Sequence, residues 1–275
     1  MTHSAMAQSP NYQCPICQTA MTKIDKTLKC ENNHQFDFAK EGYVNLLPVQ
    51  FKKSLNPGDD KDMVLARRRF LELNHYDFLR QHLLAKITAR APKAIVDLGC
   101  GEGYYTGFIA EASQLEEVYG VDISKDAIRY SAKRSKTVHY SVATNSKTPF
   151  ADDQFDLILN VFAPLVGKEC SRILNSNGVI ISAAPGEQHL IELKQAIYDQ
   201  VELHDTAKAP EGFQLVSTEN ISQTVVLTSS DEVTDLLTMT PFGWKIVPDK
   251  RQALLANDSF SITLSFDINV FKPIG

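Results

Sequence analysis

Nowhere in the chain do apolar residues run to the roughly 18 in a row that a membrane-spanning helix needs. The opening stretch MTHSAMAQSP has no basic segment followed by an apolar one, so no export signal is expected and the reading is cytoplasmic. Cysteine is scarce. There are five, an odd number, divided into a cluster (Cys14, Cys17, Cys30) and two distant singles (Cys100, Cys170). That pattern excludes the disulfide framework of a small secreted protein and fits a metal site, with the two singles as small buried apolar residues. Internal repeats and low-complexity tracts are absent. An excess of positive charge is missing as well: the formal net charge is −5, which on average speaks against a nucleic-acid partner. The average hides a polarity. Residues 1–93 hold 14 Lys/Arg against 9 Asp/Glu, a net of +5, and the remaining 182 residues hold 14 against 24, a net of −10. Such asymmetry suggests that the N-terminal part handles a polyanion; the alternative is that its basic runs are ordinary solvated faces.

The 275 residues are 43% hydrophobic, enough for a large domain plus a smaller one. Residues 11–50 carry short aromatic and β-branched runs without helical periodicity, which predicts a small ribbon of hairpins. After a polar connection at 51–62, residues 63–74 and 76–90 have apolar spacing near 3.6 and predict two helices. From Ala94 short apolar runs (AIVDL, VYGVDI, VHYSV, FDLILNV, VIISAAP) alternate with helical stretches, the pattern of βαβ units and a parallel sheet. The signal blurs after 196, but 213–228 and 259–272 alternate like antiparallel strands and predict a mixed sheet edge.

Two motifs carry chemistry. Cys14-Pro-Ile-Cys17, with Cys30 and His34 beyond it, reads C-x2-C-x12-C-x3-H. Two knuckles of this kind supply four soft ligands for tetrahedral zinc with no open position, hence a structural site. A redox CxxC is the alternative, but no thioredoxin-like unit surrounds it. The second motif is Ile95-Val96-Asp97-Leu98-Gly99-Cys100-Gly101-Glu102-Gly103, an apolar strand followed by a turn with three alternating glycines. Tyr104 stands where a dinucleotide fold needs its last glycine, so nicotinamide binding is disfavoured. Asp97 at the strand end suits a ligand bearing an ammonium, and Asp122, at the end of the next strand, suits two ribose hydroxyls. S-adenosylmethionine has both features. A helix-capping role for one aspartate and a surface position for the other are the plainer alternatives.

Residues 34–50 (HQFDFAKEGYVNLLPVQ), 66–79 (ARRRFLELNHYDFL) and 97–106 (DLGCGEGYYT) resemble the bacterial 23S ribosomal RNA guanine-N1 methyltransferases, as do APGEQHLIELK at 184–194 and MTPFGWK at 239–245. The ribbon joined to HQFDFAKEGYVNLLPVQ is the specific part; the glycine turn is shared by many methyltransferases. The resemblance implies an α/β fold: a Rossmann-like class I S-adenosylmethionine methyltransferase domain (94–275) behind a zinc-ribbon RNA-recognition domain (1–50), with a helical connection at 51–93. It further implies a homodimer acting on a hairpin in domain II of the large-subunit RNA, with zinc on Cys14, Cys17, Cys30 and His34. Cofactor contacts would fall on Tyr76, on Gly101, Glu102, Gly103 and Tyr104, and on His189. Other enzymes of the methyltransferase fold place a target-base contact after the fourth strand, here Asn160 to hydrogen-bond the guanine edge and Phe162 to stack. Lys52, Lys53, Arg67, Arg68 and Arg69 are the candidates for phosphate contacts, although three consecutive arginines do not share one helix face. Two other readings remain: a methyltransferase of a small molecule such as a quinone precursor, and a catalytically silent zinc-ribbon RNA-binding protein.

Overall fold

The structure, a computed structural model, describes residues 11–51, 57–115 and 117–274. Three short strands, β1 (Met21–Ile24), β2 (Thr27–Cys30) and β3 (Gln35–Asp37), form an antiparallel ribbon in sequence order. Next come β4 (Val44–Asn45), α1 (Lys61–Glu72), α2 (Asp77–Thr88), β5 (Ala94–Leu98), α3 (Tyr104–Ser113), β6 (Glu117–Asp122), α4 (Lys125–Arg134) and β7 (His139–Val142). The remainder is β8 (Phe155–Val161), α5 (Gly167–Ile173), β9 (Leu174–Pro185), α6 (Ile191–Ile197), β10 (Phe213–Leu227), α7 (Ser230–Met239), α8 (Pro248–Leu255) and β11 (Phe260–Pro273).

Eight of these strands make one sheet in the order β10-β11-β9-β8-β5-β6-β7-β4. The six from β4 to β9 are parallel, and β11 and β10 close one side antiparallel, as the alternation at 213–228 and 259–272 predicts. The chain leaves β5 in one direction to β6 and β7, then returns past it to β8. That reversal opens a crevice beyond the carboxyl ends of β5 and β8, where open α/β sheets bind ligands. The two predicted helices fall at α1 and α2, each within two residues of the boundaries read from periodicity. Asp60 caps α1 by accepting from the Met63 N–H, and Ser124 caps α4 by accepting from that of Ala127.

Residue 50 is a boundary in sequence but not in packing. Within the ribbon segment, β4 pairs in parallel with β7. Tyr12 stacks on Phe150 at 5.6 Å and meets Tyr119 edge-on at 5.7 Å. Tyr12, Met21, Leu28 and Cys30 belong to the same buried cluster as Val96, Tyr119, Phe150 and Phe155 of the sheet. The ribbon therefore shares a core with the eight-stranded sheet. Among the described residues, no helix is long and apolar enough to cross a membrane.

Candidate active site and metal centre

The C-x2-C turn and the hairpin between β2 and β3 bring four ligands to one point. Cys14 Sγ and Cys30 Sγ lie 3.5 and 3.4 Å from His34 Nδ1, and Cys17 Sγ lies 3.7 Å from Cys30 Sγ. All four donor atoms fall within 4.8 Å of one another. A tetrahedral ion with Zn–S bonds of about 2.3 Å has edges of roughly 3.5–3.8 Å, which these three separations match, so the donor set fits zinc with four protein ligands. Hydrogen bonds from Asn32 and Thr19 lower the Cys17 thiol to about 5, toward the thiolate that a metal takes.

The glycine turn forms the crevice floor. Gly99 has φ +84°, and a Cβ there would collide with that of Ala163; Gly103 has φ +82°, and its Cβ would lie 2.7 Å from Ser131 Cβ. Only glycine permits that left-handed backbone and close approach. Gly101 donates its N–H to Asp122 Oδ2 at 2.9 Å, and Ser124 N–H bonds Asp122 Oδ1 at 2.8 Å. The Asp122 carboxylate thus latches the turn to the end of β6 and keeps lone pairs on both oxygens for further donors. Asp97 is buried, and its Oδ2 accepts from Thr106 Oγ1 at 2.5 Å. Its Oδ1 is buried with no partner among the described residues, and burial, with the Asp122 charge nearby, pushes the carboxyl up to about 7. A buried acceptor without a donor is costly, which marks Asp97 as built for a cationic partner from outside the chain.

The remaining candidates divide. Glu102 is buried, and its Oε2 takes both bonds from Arg134, at 3.0 and 2.6 Å, while Oε1 has no partner among the described residues. Its carboxylate is thereby anchored to α4 beneath the turn. Tyr104 opens α3 with the Arg80 guanidinium 4.7 Å from its ring centroid, and burial pushes its hydroxyl up to about 12. Tyr76, Phe162, Phe266 and His189 form an aromatic cluster. Phe266 is 5.1 Å from Tyr76, 5.3 Å from Phe162 and 4.8 Å from His189 between centroids. Phe162 is 43% exposed and has φ +56°, a conformation that turns its ring out from the end of β8. His189 Nδ1 accepts the Ser265 N–H at 3.3 Å, and burial lowers its pKa to about 3, so the ring is neutral with its proton on Nε2. It is a donor there, not a base.

Asn160 is buried and donates one amide N–H to the Leu98 carbonyl at 2.8 Å, which ties it to the strand that carries Asp97 and leaves its second N–H and its Oδ1 outside that bond. The arginines take three different paths. Arg67 pairs with Asp59 and reaches the Met239 carbonyl at 3.4 Å; Arg68 pairs with Glu72 at 2.8 Å; Arg69 forks onto Asp235 of α7 at 2.9 and 2.5 Å. Lys52 and Lys53 lie outside the described residues.

Comparison with known proteins decides the family. Residues 12–55 match the zinc-ribbon family described as RlmA, N-terminal, and residues 96–182 match a methyltransferase domain. The 23S rRNA (guanine(748)-N(1))-methyltransferase of Streptomyces fradiae is 33% identical over 276 residues, covering 95% of this chain and 96% of that protein. The chain belongs to the 23S rRNA (guanine-N1)-methyltransferase family. A Bacillus subtilis (strain 168) protein, YxjB, is 31% identical over 94% of this chain and 95% of its own. A solved structure from Pyrococcus horikoshii covers 74% of this chain at 19% identity, with a TM-score of 0.44.

As a methyltransferase of this family the chain uses S-adenosylmethionine and structural zinc, and the residues on the page fit both. The orphaned Asp97 Oδ1 suits the amino-acid ammonium, the glycine backbone admits the ligand closely, and Asp122 suits the ribose. Sequence reasoning missed Phe266, which joins Tyr76, Phe162 and His189 into one cluster, and Thr106, which orients Asp97. No local pattern marks Phe266, since it is one of several apolar positions alternating along β11. Thr106 was within reach as the first-turn hydroxyl of the helix after the glycines.

Proposed function

We propose that this enzyme transfers a methyl group from S-adenosylmethionine to N1 of a guanine in 23S ribosomal RNA, in a domain II hairpin, as a cytoplasmic homodimer. The observation that carries the reading is the juxtaposition, at the carboxyl edge of one sheet, of the orphaned Asp97 acceptor with the outward-turned Phe162 ring and its aromatic neighbours. Bound S-adenosylmethionine would supply a methyl on a sulfonium whose sulfur leaves as a neutral thioether; the transfer needs nucleophile, methyl and sulfur in line, and the proton of guanine N1 is released to water. The protein's contribution is position and exclusion of water.

Asp97 holds the donor's ammonium, Asp122 its ribose, and the backbone of Gly99, Gly101 and Gly103 allows close approach, with Tyr76, Tyr104 and His189 closing the walls. Asn160, through Leu98, keeps the strand end that bears Asp97 in place. Phe162 stacks on the extruded guanine, since a base must leave its stack before N1 is reachable. The Nε2 proton of His189 is available to an acceptor in the crevice. Residues 1–50 present the RNA, with Lys52, Lys53 and the exposed parts of Arg68 and Arg69 meeting phosphates, while Arg67 serves the crevice rim.

The test is primer extension on ribosomal RNA from a strain lacking the gene, with and without complementation. A stop at one guanine that appears only with the intact gene is the expected result. Incubating extract with donor labelled on the methyl separates the small-molecule reading: label in lipid or metabolites rather than RNA overturns the proposal.

A further inference from the structure

Trp244 is the single tryptophan of the chain, and it is 75% exposed. It sits in the 3-10 turn Pro241–Trp244 between α7 and α8, inside the MTPFGWK stretch whose role the crevice does not explain. The turn is tied down on two sides. At one end, the Met239 carbonyl accepts from Arg67. Arg67 is also paired with Asp59, whose own carbonyl accepts from Ser124 Oγ at 2.9 Å, beside Asp122. At the other end, Phe242 packs against Tyr198, 6.3 Å between ring centroids, just past the helix that follows His189. Lys250 reinforces that side by bonding the Ile197 carbonyl at 2.9 Å and Asp199 at 2.8 Å. Residues 239–250 are therefore tied at one end, through Arg67 and Asp59, to the segment beside Asp122 and at the other to the C-terminal end of α6.

The turn itself is rigid. Gly243 donates to the Thr240 carbonyl, the Lys245 and Ile246 N–H groups return to Phe242, and a Cβ on Gly243 would press on the Leu237 carbonyl. Such a frame buries Phe242 against the core cluster while presenting Trp244 and the half-exposed Val247 outward. The charges of segment 241–251 are Lys245, Asp249, Lys250 and Arg251; with Lys250 paired to Asp199, Lys245 and Arg251 stand against Asp249, a net of +1 in a part of the chain that is otherwise strongly acidic. Among the described residues, Lys245 is exposed and makes no ion pair. An exposed indole on a rigid turn beside Lys245 has the chemistry of a stacking platform for an unpaired base: a π-face for the ring and positive charge for the phosphate.

We infer that Trp244 stacks on an unpaired nucleotide flanking the guanine that enters the crevice, and so positions the RNA rather than the methyl donor. This rests on the reading of the enzyme as an RNA methyltransferase. The partner is single-stranded or looped RNA, because a paired base has no free face to offer.

One tryptophan makes the test direct. Emission of zinc-loaded wild-type enzyme, held with S-adenosylhomocysteine, is followed while a 23S rRNA domain II transcript is added, and affinity is measured separately by anisotropy of labelled transcript. Quenching that saturates with the anisotropy curve is expected, with no quenching by a fully paired duplex of equal length. Trp244→Ala is expected to weaken transcript binding about 10-fold, Trp244→Phe to restore it to within about 3-fold, and neither to change S-adenosylmethionine affinity. A transcript that binds wild type without altering emission, or binds Trp244→Ala equally well, overturns the inference alone. Quenching that rises with protein concentration in the absence of RNA also overturns it, by assigning the face to a second copy. A transcript that fails to bind wild type at all overturns the RNA reading and this inference together.

Discussion

The ribbon is built from strands of three or four residues, whereas the sheet it leans on has strands of up to fifteen. On one face of the sheet, Ile95, Leu157, Leu159 and Ile181 share a buried cluster with residues of α1, α2, α3, α6 and α7, so that face needs nothing from the ribbon. In the ribbon the buried side chains are few, and two of them, Cys14 and Cys30, belong to the donor set that fits zinc. One region is held by packing and the other by coordination, with a seam of Tyr12, Tyr119 and Phe150 between them. The difference teaches that a metal module here is not a separate bead: β4 lies in the catalytic sheet, so the two regions answer partly to each other.

Removing the metal is the strongest way to break the comparison. Zinc coordination is worth on the order of 10 kcal/mol to small modules of this kind, so chelation should release the amide protection of residues 20–38 in hydrogen exchange. RNA affinity should fall by roughly 100-fold or more, while donor affinity stays within about 3-fold, because the crevice is packed without the ribbon's ligands. Equal loss of protection around β5 and β8 would show that the ribbon holds the whole sheet.

Cutting the seam is the next largest effect. Tyr12→Ala leaves a cavity against Phe150 and Tyr119 and should cost about 3–5 kcal/mol in thermal or denaturant unfolding. If the ribbon were an independent bead, the main transition would not move.

Asp97 sharpens the comparison from the catalytic side. Asp97→Asn should weaken donor binding by about 1–3 kcal/mol, read by calorimetry, with no change in zinc content. The pH dependence has a definite sign. The folded, donor-free carboxyl titrates near 7 against an ordinary value of 3.8, so between these values the folded protein keeps a proton that the unfolded chain has lost. Stability of the donor-free protein should therefore fall as pH rises through that window. Donor binding, which wants the ionised form, should tighten up to about pH 7 and release a proton, visible as different calorimetric heats in buffers of different ionisation enthalpy. Asp97→Asn should abolish that difference.

The smallest expected effect concerns two residues outside the described ones. Lys52→Glu with Lys53→Glu should weaken RNA retention in a filter assay several-fold and lower the salt slope by about 2, leaving donor affinity unchanged. Unchanged retention would move the phosphate contacts elsewhere on the basic half.

Legibility followed locality. The zinc ligands were readable because two tight turns set their geometry within 21 residues, and the glycine turn because its three positions and Asp97 lie on one strand–turn–helix unit. The strands at 213–227 and 260–273 were visible from alternation, yet their place beside β9 was not. Nor did adjacent arginines show their partners. Arg67, Arg68 and Arg69 point three ways around one helix, to Asp59, Glu72 and Asp235, and Asp235 is 166 residues away.

Sequence alone determined the clustering of three cysteines and a histidine, the glycine turn after the first sheet strand, the alternation of strands and helices, and the family, because each is written in contiguous residues whose spacing fixes local geometry. Tertiary structure decided what those parts face. It brought Phe266 to Tyr76 and Phe162, bonded Asn160 to a backbone carbonyl, fused the ribbon to the sheet through Tyr12, and tied the segment before the Trp244 turn to Arg67 of α1. These contacts join segments far apart in the chain, and they depend on strand order and on which face each pleat buries, which no local pattern encodes.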